Sequence, residues 1–512
     1  MNGAEALIAT ALSEGIEVCF ANPGTTEMPM VAALDTVPGI RGILFLHENA
    51  ATGAADGYAR MAGKPAMTVL HLGPGLMNGL TNLHNARRAH SPVFNVIGEH
   101  ASWHVRADPL LATDIEGVAR TIHGYVKENL GATTVAMDTA QTIAEAMAHG
   151  GRSGTLILPH DSQLGDAGDV IPVPRTAEKA GFASGHVIET ARRLKAGKSA
   201  LFLGGDGLSE DALMLAGRIA AGTGAELICE TFVARMEKGG GLPAPVKLPY
   251  RPEDAIALTG QFDTVVIIGT ARPIAFFGYP GGPSELTTDA QTISLAAPGE
   301  DIVGALAALA DELSAPDAPA PRAATLPDMP KGALDGPAIS AVIANLQPQG
   351  AIVMDEGLTS AAAYHAFSDA SPRFTHMQLT GGAIGEGPGA STGAAIACPD
   401  RQVINFQADG SGAYSVQALW TQAREQLDVV TIIAANRRYN ILGFELERAG
   451  IMNPGPVTRS MVSLNGPHLD WVKIAEGFGV PGVAVDTAEG LAEALEDALE
   501  AQGPRLIEAV MG

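Results

Sequence analysis

The chain has 512 residues, 46% of them hydrophobic, with 61 glycines and a net charge of −24. That length supplies roughly three domains with real cores, and the charge argues against nucleic acid or an anionic membrane as partner. Cys19, Cys229 and Cys398 are far apart, in or beside apolar segments, without zinc or disulfide spacing. They read as core thiols of a cytoplasmic protein, and neither a basic, apolar leader nor a membrane-length apolar run is present.

In chain order, the first expected strands cover residues 18–21, 42–46, 66–70 and 93–97. They alternate with helical stretches, the pattern of an open α/β sheet. Asn22-Pro-Gly-Thr25 turns sharply after the first strand. Glu48 follows the second and opens a small-residue helix over 49–58, where any carboxylate gains from the helix N-terminus. His71 follows the third, leading into Leu72-Gly-Pro-Gly. Residues 165–181, with Ile171-Pro-Val-Pro, and residues 315–336, with five prolines, read as linkers. They divide the chain into three α/β domains, 1–165, 182–314 and 337–512. The central one is expected to hold strands at 200–203 and 264–268, and the last to begin with a strand at 351–354.

The final third carries the most informative pair. Residues 403–408 and 429–435 are short β-branched apolar runs, the signature of buried parallel strands. Asp409 closes the first and Asn436 the second, with a helix expected between them at 415–426. The carboxyl edge of such a sheet is where open α/β folds bind ligands. A carboxylate, an amide oxygen and a nearby backbone carbonyl suit Mg²⁺, which takes its other ligands from phosphate and water. Gly410 and Ser411 stand where N–H groups and a hydroxyl meet a phosphate. The chain contains its own control: Gly205-Asp206-Gly207 is a better Gly-Asp-Gly, yet the residue 27 positions beyond Asp206 is Val233, which cannot ligate metal.

Asp409-Gly-Ser with Asn436 at 27 residues resembles the diphosphate/Mg²⁺ motif of thiamine diphosphate (ThDP) enzymes. Asn22-Pro-Gly-Thr25, Leu46-His-Glu48, Ala55-Asp-Gly-Tyr-Ala59 and His71-Leu-Gly-Pro-Gly-Leu-Met-Asn78 resemble, in order, the pyrimidine-binding domain of the same family. The likeness covers nearly the whole chain and is strongest to benzoylformate decarboxylase and the acetolactate synthase group. It implies pyrimidine-binding, central Rossmann-like and diphosphate-binding domains, and a homo-oligomer, either a dimer or a dimer of dimers. It also implies ThDP and Mg²⁺ as cofactors and a 2-oxo acid as substrate, for decarboxylation or carboligation. FAD in the central domain is left open.

Residue by residue, the resemblance implies that Glu48 hydrogen-bonds the cofactor pyrimidine. Asp409, Asn436 and the Arg438 carbonyl would hold Mg²⁺. Gly410, Ser411, Tyr414, Thr359 and Ser360 would contact the diphosphate. Gly382 would lend a carbonyl to the aminopyrimidine, and Ile384 would prop the cofactor in its bent shape. His71 would carry a proton and Thr25 would bind the substrate carboxylate. Phe277, Ile441, Leu442 and Glu445 would line the substrate pocket. Two departures from the family pattern stand out. Ala408 replaces the usual glycine before the aspartate, so one methyl could crowd the diphosphate loop. Phe276-Phe-Gly-Tyr-Pro280 replaces the stretch that carries the second histidine of benzoylformate decarboxylase, which favours ligation over aldehyde release. The rivals are acetolactate synthase proper and a catalytically inactive binding protein with this fold. A nicotinamide dehydrogenase needs a Gly-x-Gly-x-x-Gly that Gly385-x-Gly387-x-Gly389 does not supply.

Overall fold

The computed structural model describes residues 1–168, 180–320 and 324–512. Most of the first expected linker, residues 169–179, and residues 321–323 of the second lie outside the described residues. Every expected strand forms; all are apolar runs buried on both faces except Arg41–Leu44, an edge strand whose first two residues are exposed. Val18–Asn22, Ala66–His71 and Val93–Glu99 lie in a six-stranded sheet of order 41–44, 18–22, 66–71, 93–99, 153–159, 125–128, parallel throughout. Ser199–Leu203 and Thr264–Ile268 are neighbours in a five-stranded parallel sheet. The seven-stranded sheet runs 482–485, 505–510, 429–435, 403–408, 352–356, 374–378, 236–238. Its last strand, Met236–Lys238, comes from the middle of the chain and pairs antiparallel with Phe374–Gln378, tying the central segment to the third sheet.

Two helices cross where the first and third sheets meet. Glu48–Ala62 starts because His47 is extended and its Nδ1 accepts the Asn49 N–H at 3.1 Å. It ends at Gly63 in the left-handed conformation. Gly387–Ala397 packs on it through glycine and alanine. A Cβ on Gly57 would lie 2.1 Å from the Ala390 carbonyl, and one on Gly393 would lie 1.9 Å from that of Ala54. Backbone therefore meets backbone, and larger side chains would force the helices apart. The first turn of one helix holds Glu48, and the other follows directly on the loop at 381–386. This crossing fixes two candidate cofactor elements against one frame.

Behind the crossing, Arg60 is buried with Asp56 and Glu386. It donates to Asp56 Oδ1 at 2.8 Å and to the Gln378 carbonyl at 2.8 Å, and it also bonds Glu386. Burial raises the Glu386 carboxyl well above the usual range against the pull of Arg60. Removing one partner of such a cluster leaves a buried uncompensated charge, which typically costs about 3–5 kcal/mol.

Candidate active site

Asp409 and Asn436 end adjacent parallel strands, Val403–Ala408 and Val429–Ala435, paired Ala408 to Ala434. Asp409 is 3% exposed. The Arg437 N–H donates to its Oδ2 at 2.6 Å and the Gly410 N–H to its Oδ1 at 2.8 Å. The Arg438 N–H donates to Asn436 Oδ1 at 3.0 Å. Burial raises the Asp409 carboxyl, and these N–H bonds oppose the shift. The loop thus gathers carboxylate, amide and carbonyl oxygens in one place, an all-oxygen donor set that fits a hard cation. The Gly410 N–H differs from the expectation, because in this structure it is turned onto Asp409.

The diphosphate candidates divide. The Ser411 hydroxyl donates to the Ala408 carbonyl at 3.1 Å and accepts from Gln407 Nε2 at 2.5 Å. Tyr414 is half exposed and packs on Gly385, where a Cβ would lie 2.5 Å from that of Tyr414. The Thr359 hydroxyl accepts from Asn440 Nδ2 at 3.3 Å, linking the turn after strand Ile352–Glu356 to the segment that follows Asn436. Ser360 points elsewhere: it is buried with its hydroxyl 3.6 Å from Met511 Sδ. Ala408 has φ −77° and ψ 146°, an ordinary extended conformation that asks for no glycine.

The loop at 381–386 is gripped from both sides. Asn85 Nδ2 donates to the Ala383 carbonyl at 2.7 Å and its Oδ1 accepts the Ala383 N–H at 3.3 Å. Asn82 and Ser415 donate to the Gly385 carbonyl at 3.3 and 2.6 Å. From below, Glu356 accepts the Gly385 and Gly387 N–H groups, each at 2.6 Å. Burial pushes the Glu356 carboxyl up to about 7. Gly382 has φ 73°, a left-handed conformation, and Phe276 fills the space a side chain would need. Ile384 is thereby held between two anchored neighbours.

On the first sheet, Glu48 is 7% exposed and its Oε2 accepts from Asn78 Nδ2 at 3.0 Å. His71 ends strand Ala66–His71 with Nδ1 2.7 Å from Glu27 Oε2. A carboxylate there fixes the orientation of the imidazole ring. Glu27 is fully buried and also accepts from the Gly24 N–H at 2.8 Å and the Thr26 hydroxyl at 2.6 Å. Sequence reasoning missed Glu27. Its signal was a glutamate beside the Asn22-Pro-Gly-Thr25 turn, but the partner lies 44 residues on. Gly24 and Gly98 make room for the pair. A Cβ on Gly24 would lie 2.3 Å from the His71 ring, and one on Gly98 would lie 1.9 Å from Glu27. Thr25 is exposed beside this pair.

The pocket candidates come from two segments. Phe277 is exposed and packs edge-on to Phe276, whose ring also meets Phe232 and Tyr250. Ile441, Leu442 and Glu445 lie on helix Asn440–Arg448, none of whose residues is buried. Glu445 accepts from the Tyr279 hydroxyl at 3.0 Å, and the Arg448 guanidinium lies 3.5 Å from the centre of that ring. Glu445 is therefore held by the central segment.

Among the described residues, nine other than glycine have positive φ. Three of these, Leu72, Leu358 and Arg437, turn the chain from a strand end beside His71, Thr359 and Asn436. Such conformations cost about 1–3 kcal/mol each and tend to gather at functional sites.

Comparison with known proteins agrees with this geometry. Residues 1–125 match the thiamine pyrophosphate enzyme N-terminal TPP binding domain, and residues 355–509 match the C-terminal TPP binding domain. A Mycobacterium tuberculosis protein provisionally named acetolactate synthase large subunit IlvX is 45% identical over 515 aligned positions, covering 100% of this chain and 99% of the relative. Benzoylformate decarboxylase of Pseudomonas aeruginosa is 29% identical, covering 96% of each. The fold is that of the ThDP-dependent 4-hydroxybenzoylformate decarboxylase of Rhodococcus jostii RHA1, with a TM-score of 0.89 and 23% identity over 100% of this chain and 99% of that one. With its cofactor-loop geometry, its two matched binding domains and a relative this similar along its whole length, the chain belongs to the thiamine pyrophosphate enzyme family.

Proposed function

We propose that the chain is a ThDP- and Mg²⁺-dependent enzyme that decarboxylates a 2-oxo acid and releases the acyl fragment as an aldehyde or joins it to a second carbonyl. The observation that carries this reading is the Asp409–Asn436–Arg438 oxygen set on adjacent strand ends, in a chain that also keeps a buried Glu48. In this reading Asp409, Asn436 and the Arg438 carbonyl hold Mg²⁺. Ser411, Tyr414 and Thr359 face the diphosphate, the Gly410 N–H steadies Asp409, and the Ser360 backbone supports that turn. Gly382 and Ile384 hold the aminopyrimidine end. ThDP, when bound, supplies the electron sink for the pair left by departing carbon dioxide. Glu48 holds the proton at pyrimidine N1′, oriented by Asn78. Thr25 binds the substrate carboxylate, and His71, fixed by Glu27, moves a proton after substrate addition.

Phe277, Ile441, Leu442 and the Tyr279-bound Glu445 form the acceptor side. The domains are taken as 1–165, 182–314 and 337–512, the location as cytoplasmic, and the assembly as a dimer or dimer of dimers. No helix among the described residues is long and apolar enough to cross a membrane.

The second reading, acetolactate synthase proper, is favoured by the provisional name of the 45% identical relative. A panel of 2-oxo acids, followed for carbon dioxide and for carboligation products with and without ThDP and Mg²⁺, tests both readings. Acetolactate as the dominant product from pyruvate selects the second. Cofactor-independent turnover, or none with any 2-oxo acid, rejects both.

A further inference from the structure

A cavity of about 270 Å³ opens beside Thr25, lined by Thr25, Thr26, Trp103 and three imidazoles, His100, His104 and His160. Its volume sits just below the ~300–1,000 Å³ of pockets for drug-sized ligands, so it suits a small acid. His100 comes from the end of strand Val93–Glu99, His104 and Trp103 from the following turn, and His160 from the end of strand Ser153–Pro159. These strands are neighbours, so the sheet brings the histidines together at its carboxyl edge.

These imidazoles differ from His71. His71 has a buried carboxylate, Glu27, at 2.7 Å. His100 Nε2 has no hydrogen-bond partner. His160 Nδ1 meets only the Thr26 carbonyl, at 3.2 Å. The His104 ring stands edge-on to His100 at 5.7 Å and packs on Trp103 at 5.5 Å. The carboxylates nearby are engaged elsewhere. Glu27 is held by His71, Thr26 and Gly24. Glu99 accepts the His100 backbone N–H at 2.6 Å and Asp161 accepts from Ser102 at 2.6 Å. Burial, together with the neighbouring His104 and His71, lowers the proton affinity of His100, and Glu27 alone opposes this. The cluster is not a metal centre: the His100 and His104 rings lie edge to face, and no group of three metal-ligating side chains occurs among the described residues.

None of these carboxylates hydrogen-bonds the His100, His104 or His160 ring, so the imidazoles are left to offer their donors to an anionic group of a ligand. Resting on the reading that Thr25 takes the 2-oxo acid's own carboxylate, we infer that this pocket binds a second carboxylate, at the far end of the substrate's side chain. The substrate class is then a 2-oxo acid that is also a dicarboxylic acid, its chain lying along Trp103. Binding draws a proton onto the cluster, because a carboxylate nearby stabilises the charged imidazole.

Isothermal titration calorimetry of the ThDP- and Mg²⁺-supplemented protein tests this with two unreactive probes, glutarate and butanoate. Near pH 7, in buffers of different ionisation enthalpy, glutarate should bind at least about 10-fold tighter than butanoate, with net proton uptake. In His100→Gln/His104→Gln both the preference and the uptake should vanish. Exposed His104→Gln alone should lose part of each, and it serves if the double variant does not fold. Equal binding of the two probes, or a preference that survives in the variants, overturns the inference.

Steady-state rates on 2-oxoglutarate and 2-oxopentanoate separate the two levels of the argument. Turnover that favours 2-oxoglutarate, with the preference lost through KM in the variants, supports the inference. Turnover of 2-oxopentanoate without preference overturns the inference and leaves the decarboxylase reading standing. Tight, proton-coupled glutarate binding without turnover of any 2-oxo acid supports the anion pocket and removes the reading above it.

Discussion

The turns after strands Ser199–Leu203 and Val403–Ala408 look alike in sequence, Gly205-Asp206-Gly207 in one and Asp409-Gly410-Ser411 in the other. Each follows a buried parallel strand, and each has beside it a glutamate whose carboxyl is pushed up to about 7 by burial. They part in what the neighbouring strands bring. Glu230 bonds the Thr270 hydroxyl and the Gly205 N–H, so it closes its own turn. Glu356 instead holds the Gly385 and Gly387 N–H groups of a different loop. Asp206 is exposed, whereas Asp409 is buried against the Asn436 loop. A local motif at a strand end is therefore neutral about function. The adjacent strand end decides it, by closing the turn or by adding ligands to it.

The largest expected effect tests that contrast directly. Asp409→Ala should abolish detectable binding of ThDP with Mg²⁺, exceeding the roughly 10–100-fold cost of losing an outer-shell partner. Asp206→Ala should leave it within about 2-fold. Titration calorimetry on both variants checks this, and equal effects would erase the distinction between the turns.

Next come Glu48 and His71, the two proton carriers proposed for the first sheet. Glu48→Gln should lower turnover roughly 10²–10⁴-fold, and slow hydrogen–deuterium exchange at C2 of the bound cofactor. His71→Ala should lower turnover but leave that exchange nearly intact, since its step follows substrate addition. Quenched NMR with steady-state rates separates them. Wild-type rates in His71→Ala would make the Glu27–His71 pair purely structural.

Much of this was legible in the chain because the strands are β-branched runs and the metal candidates sit directly at their ends. Asp409 and Asn436 needed only the strand–helix–strand pattern between them. Glu27 was not legible: its meaning depends on His71, on a different strand, and on the space left by Gly24 and Gly98. The grip of Asn82, Asn85 and Glu356 on the 381–386 loop joins segments about 300 residues apart in one case and 30 in the other, and no local periodicity encodes either. That Glu445 is held by Tyr279 of the central segment, 166 residues away, likewise has no local signal. Ala408 looked like a departure that could crowd the loop, and only its backbone angles bear on that.

A smaller effect concerns pH. Glu230 and Glu356 both have folded-state carboxyls raised to about 7 from 4.5. Between these values the folded chain keeps a proton that the unfolded chain has released. Their contribution to stability is therefore full below about 4.5 and is lost as pH rises through about 7, at up to about 1.4 kcal/mol per pH unit for each group. Glu230→Gln should flatten the fall measured by urea unfolding across this window, without touching ThDP affinity. Glu356→Gln should flatten it too but weaken ThDP binding, because an amide nitrogen would face the Gly385 or Gly387 N–H. Matching cofactor effects in the two variants would mean that both glutamates serve their turns in the same way.

The smallest effect is at Ala408. If the residue before Asp409 had to be glycine, the cause would be a left-handed backbone or a contact that a Cβ cannot survive. The first does not hold, since φ is −77°, and the Cβ already packs at the end of its strand, where the residue is 9% exposed. The carbonyl accepts the Ser411 hydroxyl, a bond that any residue type can make. Ala408→Gly should therefore change ThDP affinity by less than about 2-fold and lower stability by about 0.4–1 kcal/mol, through the added freedom of the unfolded chain. Calorimetric titration and urea unfolding of the same preparation read both numbers. A tenfold gain in ThDP affinity would instead mean that the methyl group obstructs the diphosphate, and that the likeness between the two turns is broken at this residue as well as at the neighbouring strand.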